Sequence, residues 1–430
     1  MKNNQTPHTN PFNWLVVIAA LGYFVDIYDL VLFNVVKRES LEQIQLITGA
    51  VFDIKDTGIF LFNCQMLGML AGGLLWGIWG DKKGRISVLF GSILLYSIAN
   101  ILNAFTFDIT WYAVIRVVAG IGLAGELGAG ITLVSETMDK EKRGYGTMVI
   151  VTFGALGAVL AGVVGTEGHY LSGILEKITG HSFSNWQIVY LIGGMLGLVL
   201  LALRIGAFES GMFEHMQHKQ IRKGDFLSLF RNKDTTIKYL SCIMIGLPIW
   251  YVVGVLIALS QDVFAKELGI EGVVNGKSVM YAYIGLSFGD LISGLLSQLL
   301  RSRRKVVFSY LIFSSVLVLY YIFGAHGIRL DQFYLLCFLL GTATGYWAIF
   351  VTIASEQFGT NIRSTVTNTV PNFVRGSVFP ITTGFSWLAM HTTSLNAALA
   401  VGAVCIGLAW YATTQVKETF GKDLDYYEAI

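Results

Sequence analysis

Apolar runs of close to twenty residues recur along the whole chain and leave it few ways to fold. A helix of about 20 apolar residues matches the hydrocarbon thickness of a bilayer. In lipid, only helices and closed barrels satisfy their own backbone. The runs predict spans at about 13–36, 57–79, 86–106, 110–135, 145–166, 187–207, 238–260, 277–299, 305–324, 331–354, 364–389 and 395–415. Charged residues make up only 13% of the sequence, against about 25% in soluble domains, too few to cover a water-facing surface. The 48 glycines suit helices whose backbones approach closely where no hydrophobic force drives them together. The expected fold class is therefore an all-α membrane protein of twelve transmembrane helices.

The same composition excludes several function classes. A net charge of +2 provides no basic face for nucleic acid. Cys64, Cys242, Cys337 and Cys405 all lie inside apolar runs without paired spacing, and read as small buried hydrophobes. The chain has no phosphate-binding loop, no metal-ligand cluster and no nucleophile with a placed base, so no enzyme activity, cofactor or metal is expected. The first apolar run begins near Asn13 after a polar leader. It exceeds a signal-peptide core of about 7–15 residues and is expected to remain as the first span.

The longest polar connector, about 208–237, lies halfway along. It divides the chain into an expected six-helix bundle at 1–207, a cytoplasmic connector at 208–237 and a second bundle with its tail at 238–430. With the N-terminus cytoplasmic, the inner side holds 20 of the 30 Lys and Arg, the outer side 7, and spans or their edges the remaining 3. This asymmetry predicts that both termini are cytoplasmic. A faint repeat relates the halves: Glu136 and Arg143 recur 220 positions later as Glu356 and Arg363.

Several stretches carry a family resemblance. Gly77–Arg85 (GIWGDKKGR) resembles the loop signature of the major facilitator superfamily. Arg116, Gly120, Gly122, Glu136 and Arg143-Gly144 resemble its fourth-span pattern, Glu356 with Arg363 the tenth-span counterpart, and Phe208-Glu209-Ser210 the end of its sixth span. Glu418–Leu424 (ETFGKDL) resembles the tail shared by sugar porters, metabolite:proton symporters and organic-ion transporters. The seventh span lacks the Gln-Gln pattern of sugar porters and the tenth their Gly-Pro pattern, which disfavours a hexose. Gly154–Gly165 has no proline, which disfavours drug antiporters. The first span, Gly22–Leu30 (GYFVDIYDL), looks most like metabolite:proton and aromatic-acid:proton symporters. The resemblance implies two six-helix bundles around a central cavity, and a cytoplasmic charge network of Asp81, Arg85, Glu136, Arg143, Glu356 and Arg363 that latches one conformation. Plain positive-inside loops would explain the basic residues but not the interleaved acids.

Charge inside a membrane costs about 2.5–3.5 kcal/mol per residue on insertion scales, so such residues point to a bundle interior or a wet cavity. Asp26 and Asp29 are three apart and share a helix face. Arg116 lies at similar depth, which makes an Asp29–Arg116 pair the expected proton switch. A carboxylate beside an arginine stays ionised, and withdrawing the arginine favours its protonated form. The alternative is a fixed structural pair. Glu126 reads as a second proton site or a satisfied core carboxylate. Arg375 and Asp290 lie mid-span; either Asp290 neutralises Arg375, or Arg375 takes a substrate carboxylate with its planar fork, as the organic-anion branches of the family imply. Tyr23, Trp250, Tyr251 and Trp347 are expected to line the cavity, with Tyr281, Tyr283 and Tyr346 as further aromatics. Glu167 and His169 are expected at the surface. The expected function is proton-coupled symport of a small organic solute bearing a carboxylate, by a monomer in a bacterial inner membrane, its partners being the solute, protons and the bilayer. An exporter or uniporter of an organic cation or zwitterion, or a sensor that does not transport, remain the alternatives.

Overall fold

The computed structural model describes residues 14–422 except 84, 139–142, 210–225, 360–361 and six positions between 169 and 179. Side chains are not described at a few further positions, among them Asp81, Arg85, Glu136 and Arg143. Those four expected latch residues, and His169, therefore lie outside what is described here.

Regular structure among the described residues is helical, with no strand. In chain order the α-helices of ten residues or more are α1 (Trp14–Thr48), α2 (Ile54–Lys83), α3 (Arg85–Asn103), α4 (Ile109–Leu123), α5 (Glu126–Thr137), α6 (Arg143–Glu167), α7 (Asn185–Glu209), α8 (Lys233–Tyr251) and α9 (Asn275–Leu299). They continue with α10 (Arg303–Phe323), α11 (Leu330–Thr344), α12 (Trp347–Gln357), α13 (Arg363–Gly376), α14 (Val378–Ala389) and α15 (Ser394–Gln415). Helix α1 has 35 residues and at 1.5 Å per residue runs for about 50 Å, well beyond the hydrocarbon core. Side-chain caps set several boundaries: Asp108 accepts from the Trp111 amide at 2.9 Å at the start of α4, and Ser302 from the Lys305 amide at 3.3 Å at the start of α10.

Ten stretches among the described residues are long and apolar enough to cross a membrane. The pairs α4/α5 and α11/α12 each form one crossing interrupted by a break. The two remaining expected spans correspond to α3, whose apolar part Ser87–Asn103 is shorter, and to α13 with α14, which are separated at Ser377. Helix α13 falls short on hydropathy because it buries Thr365, Thr367, Asn368, Thr369, Asn372 and Arg375. In lipid, polar residues at such density must face protein.

Helices meet through small residues. A Cβ on Gly72 of α2 would come within 2.8 Å of Ala124 Cβ, and one on Gly285 of α9 within 2.9 Å of the Thr342 amide. Helix α6 packs on α9, and α2 on α13, which joins the earlier helices to the later ones around a shared centre. Near the end where α1 finishes, Lys37 pairs with Asp262 at 3.1 Å and donates to the Ala258 carbonyl at 2.9 Å. There Asn275 also donates to the Asn34 carbonyl at 2.7 Å. At the opposite end Asn372 donates to the Ala124 carbonyl at 2.8 Å. Contacts between the earlier and later helices thus lie on both sides of the centre.

Candidate functional site

At the centre lies a small cavity of about 20 Å³. Tyr23 and Ile27 of α1, Val151 and Ala155 of α6, Trp250 of α8, Tyr283 of α9, Trp347 of α12 and Arg375 of α13 all face it. Most of the wall is aromatic or aliphatic, and the charge is concentrated at one point.

That point is Arg375. Proline at 371 and the break at Ser377 bound the last turns of α13, and these hold the guanidinium at the wall, 1% exposed. Its Nη2 lies 3.6 Å from Asp26 Oδ2, beyond hydrogen-bond range, and donates to the Tyr23 hydroxyl at 3.2 Å. Nε and Nη1 have no hydrogen-bond acceptor, and neither does the indole N–H of Trp347. The guanidinium carbon sits 5.6 Å from the Trp347 ring centre and 5.9 Å from that of Tyr23. The cavity therefore offers a planar cation with two unused donor nitrogens, Nε and Nη1, the Trp347 N–H beside them, and ring faces around them. This donor set is complementary to a carboxylate joined to an apolar or aromatic body.

The other intramembrane charges differ from the expected pairing. Asp29 and Arg116 form no ion pair. Arg116 donates to Gln65 Oε1 and, at 3.3 Å, to the Tyr190 hydroxyl, and lies 4.2 Å over the Phe33 ring. Equal depth on two helices does not fix their azimuth: close packing of α2 on α4 delivers Gln65 to the guanidinium. Asp29 instead abuts Gly193 of α7, and both its oxygens lack hydrogen-bond partners. Asp26, one turn back, supplies the contact with Arg375.

Asp290 does not neutralise Arg375. The α11/α12 break at Gly345 exposes the first amides of α12, and Asp290 Oδ1 accepts from the Ala348 amide at 2.9 Å. A carboxylate at a helix N-terminus meets unpaired N–H groups and the positive end of the dipole. Glu126 is a satisfied carboxylate: Arg204 of α7 forks onto it at 3.0 and 2.8 Å, and the Ser92 hydroxyl adds a bond at 2.9 Å. Arg204, one of the three basic residues expected in or at the edge of spans, is 3% exposed. Tyr251 turns away from the cavity and donates to the Ala398 carbonyl at 2.7 Å, against Gly402 of α15. Tyr346 likewise bonds the Ile245 carbonyl at 2.9 Å, Tyr281 stacks on Tyr334 near the lipid-facing surface, and Glu167 is exposed.

Two members of the expected latch are described. Glu356 lies 3.6 Å from Arg303, which also donates to the Ser297 hydroxyl at 2.6 Å. Arg363 donates to the Ser355 and Phe358 carbonyls at 3.2 and 3.3 Å, holding the C-terminal end of α12, where carbonyls lack intrahelical donors. Sequence reasoning missed the tail in this cluster. Glu418 accepts from the Ser302 hydroxyl at 2.5 Å and the Arg303 amide at 2.9 Å, and the Phe420 ring lies 5.1 Å from the Arg303 guanidinium.

Crossing helices that enclose an ion-paired chamber make this a multi-pass integral membrane protein. Residues 19–379 match the family model of the Major Facilitator Superfamily, and the chain belongs to that family; it is a transporter and not an enzyme. The 3-(3-hydroxy-phenyl)propionate transporter of Escherichia coli strain K12 is 27% identical, over 81% of this chain and 83% of that protein. The benzoate transport protein of Acinetobacter baylyi is 28% identical over 45% of this chain and 39% of its own length. Among solved structures, the proton:xylose symporter XylE with 6-bromo-6-deoxy-D-glucose superposes with a TM-score of 0.67 at 15% identity, covering 96% of this chain and 97% of that one. That likeness is one of fold.

Proposed function

We propose that the protein is a proton-coupled symporter of a small organic solute bearing a carboxylate, with an apolar or aromatic body. The observation that carries this reading is the Arg375 fork: buried at the cavity wall, it has two unused donor nitrogens and a counter-ion, Asp26, at 3.6 Å. The printed activities of the relatives, transport of 3-(3-hydroxy-phenyl)propionate and of benzoate, support the same chemistry.

The charge balance explains the coupling. At the empty cavity one guanidinium, Arg375, lies on the wall with one carboxylate, Asp26, beside it. A solute carboxylate that docks on Arg375 displaces Asp26, leaving a buried anion without its cation. Such a group is costly unless neutralised, and one proton does so. Empty and loaded chambers are then both neutral, and either can reorient without moving a buried net charge. One proton accompanies each carboxylate. Two six-helix halves, 1–207 and 238–430, rock about the cavity to alternate its access, with both termini and the 208–237 connector cytoplasmic, in a monomer of the bacterial inner membrane. Asp81, Arg85, Glu136, Arg143, Glu356 and Arg363 latch the cytoplasmic side in this scheme.

The test is a thermal-shift panel of organic acids, amines and sugars on the purified protein, followed by titration of the best stabiliser. A ligand of the folded state raises apparent stability. Acids alone should stabilise the parent. Arg375→Lys keeps the charge and loses the fork, Arg375→Ala loses both, and affinity should fall in that order. Stabilisation by amines or sugars, or parental affinity in Arg375→Ala, would overturn the carboxylate reading.

A further inference from the structure

Helix α3 is an inside-out amphipath. Leu94, Ile98 and Leu102 are 45–51% exposed on one face, the side that meets lipid. Ser92, Tyr96, Asn100 and Asn103, spaced by four, four and three, lie on the opposite face and are at most 2% exposed. Ser97 beside them is fully buried. Eleven residues separate the first of these from the last, about 16 Å of helix.

The polar face links the buried acids of the first six crossings. At one end Ser92 donates to Glu126, which Arg204 holds. In the middle the Asn100 side chain reaches Asp29, although not at full hydrogen-bond geometry. At the other end Asn103 is the last residue of α3. Along this line the Tyr96 hydroxyl, the Ser97 hydroxyl, the Asn100 amide nitrogen, both polar atoms of Asn103 and both oxygens of Asp29 have no hydrogen-bond partner. Native proteins leave few buried polar groups unpaired, and clusters of them are met by ordered water, each molecule serving two to four groups. Opposite, Gly193 and Gly197 of α7 carry no side chain that could pair with them; a Cβ there would strike Asp29 and Ser97. The central cavity lies elsewhere, and none of these residues lines it.

We propose that this face of α3 holds a file of ordered water that conducts protons between the end of α3 and Asp29, apart from the route taken by the solute. Asp29 is the acceptor at its inner reach. The ionisable groups around it are Asp26 and Tyr28 on α1, Tyr96 on α3, Arg116 on α4 and Tyr190 on α7. A proton entering by way of Asn103 passes by water to Asn100 and to Asp29, and Asp26 lies one turn further along the same helix. The role of the file rests on the proton-coupled reading above; its hydration does not.

Hydroxyl-radical footprinting of the full chain tests the water directly, because radicals form from ordered water in place and oxidise adjacent tyrosines. Tyr251 and Tyr346 are the dry controls, equally buried but bonded to carbonyls. Tyr96 should label faster than both, and the Asn100→Leu/Asn103→Leu variant should lose that label. Labelling of Tyr96 as slow as the controls would overturn the file. Proteoliposomes test the proton, with 3-(3-hydroxyphenyl)propionate as probe. The double variant should retain solute counterflow but lose accumulation driven by an inward proton gradient. Parental accumulation in the double variant would sink the path alone. A parent with counterflow but no gradient-driven accumulation would sink the coupling and the path with it.

Discussion

Removing Arg204 exposes the cost of a buried pair that takes no part in the cavity. Arg204 and Glu126 are each 3% exposed and joined by two hydrogen bonds of 3.0 and 2.8 Å. Arg204→Met keeps an unbranched apolar stem but removes the guanidinium, leaving Glu126 with the Ser92 hydroxyl at 2.9 Å. Breaking a buried pair from one side costs about 3–5 kcal/mol, whereas replacing both partners by apolar residues of similar volume is often close to neutral. Arg204→Met and Glu126→Leu should each fall in that range, and the double variant should return to within about 1 kcal/mol of the parent. The assay is unfolding in mixed micelles titrated with SDS, followed by circular dichroism, and the double-mutant cycle isolates the coupling. If Arg204→Met unfolds at the parental midpoint, or the double variant shows the sum of the two losses, the pair is not the buried, mutually dependent unit described.

Gly345→Ala places a Cβ 2.5 Å from Gly289 Cα and 2.7 Å from the Asp290 amide, so backbone must move; the monodisperse fraction on size exclusion should fall sharply. Asp262→Asn weakens the Lys37 contact and should speed maleimide labelling of a cysteine introduced at Asn34. The four native cysteines are buried, and an unchanged rate would show that the pair does not hold these helix ends together. Burial raises the Glu418 carboxyl, but hydrogen bonds from the Ser302 hydroxyl and the Arg303, Phe420 and Arg304 amides hold it below the ordinary glutamate range overall. A depressed folded-state value contributes stability above the free value near 4.3 that is lost as pH falls through the folded one. Protection of the amides over residues 416–422, measured against the intrinsic exchange rate at each pH, should therefore fall in acid, and Glu418→Gln should show low protection already at neutral pH. An outside label should reach a cysteine near Lys266 but not one near Lys223; the reverse would invert the proposed topology.

The crossings were legible because hydropathy over twenty residues is a local property. Even the misfit at α13 has a local sign, since Thr365, Asn368, Asn372 and Arg375 recur at helical spacing. The partners of the buried charges were not legible. Asp26 meets Arg375 from 349 positions away, and which of Asp26 and Asp29 faces the cavity depends on the rotation of α1, which hydropathy does not fix. Asp290 depended on the break at Gly345, where the sequence shows only a glycine before Tyr346 and Trp347. Tyr251 and Trp250 are neighbours in sequence, yet one turns to α15 and the other to the cavity. The polar face of α3 could have been read: four polar residues at spacings of four, four and three within an apolar run form one stripe. A search for charge alone passes over it.

Trp347 also makes the chamber optically visible. Its indole lies 5.6 Å from the Arg375 guanidinium, and the Trp250 ring centre is 6.4 Å away. Indole emission shifts with the electric field across the ring, and here the strongest nearby source is a cation whose compensation, in the proposed cycle, changes when a solute carboxylate displaces Asp26. Trp79 and Trp387, by contrast, are 47% and 60% exposed and respond to the surrounding lipid or detergent. Difference spectra between parent and Trp347→Phe would therefore isolate the chamber, so that occupancy could be followed in unlabelled protein, and in real time, without a radioactive solute.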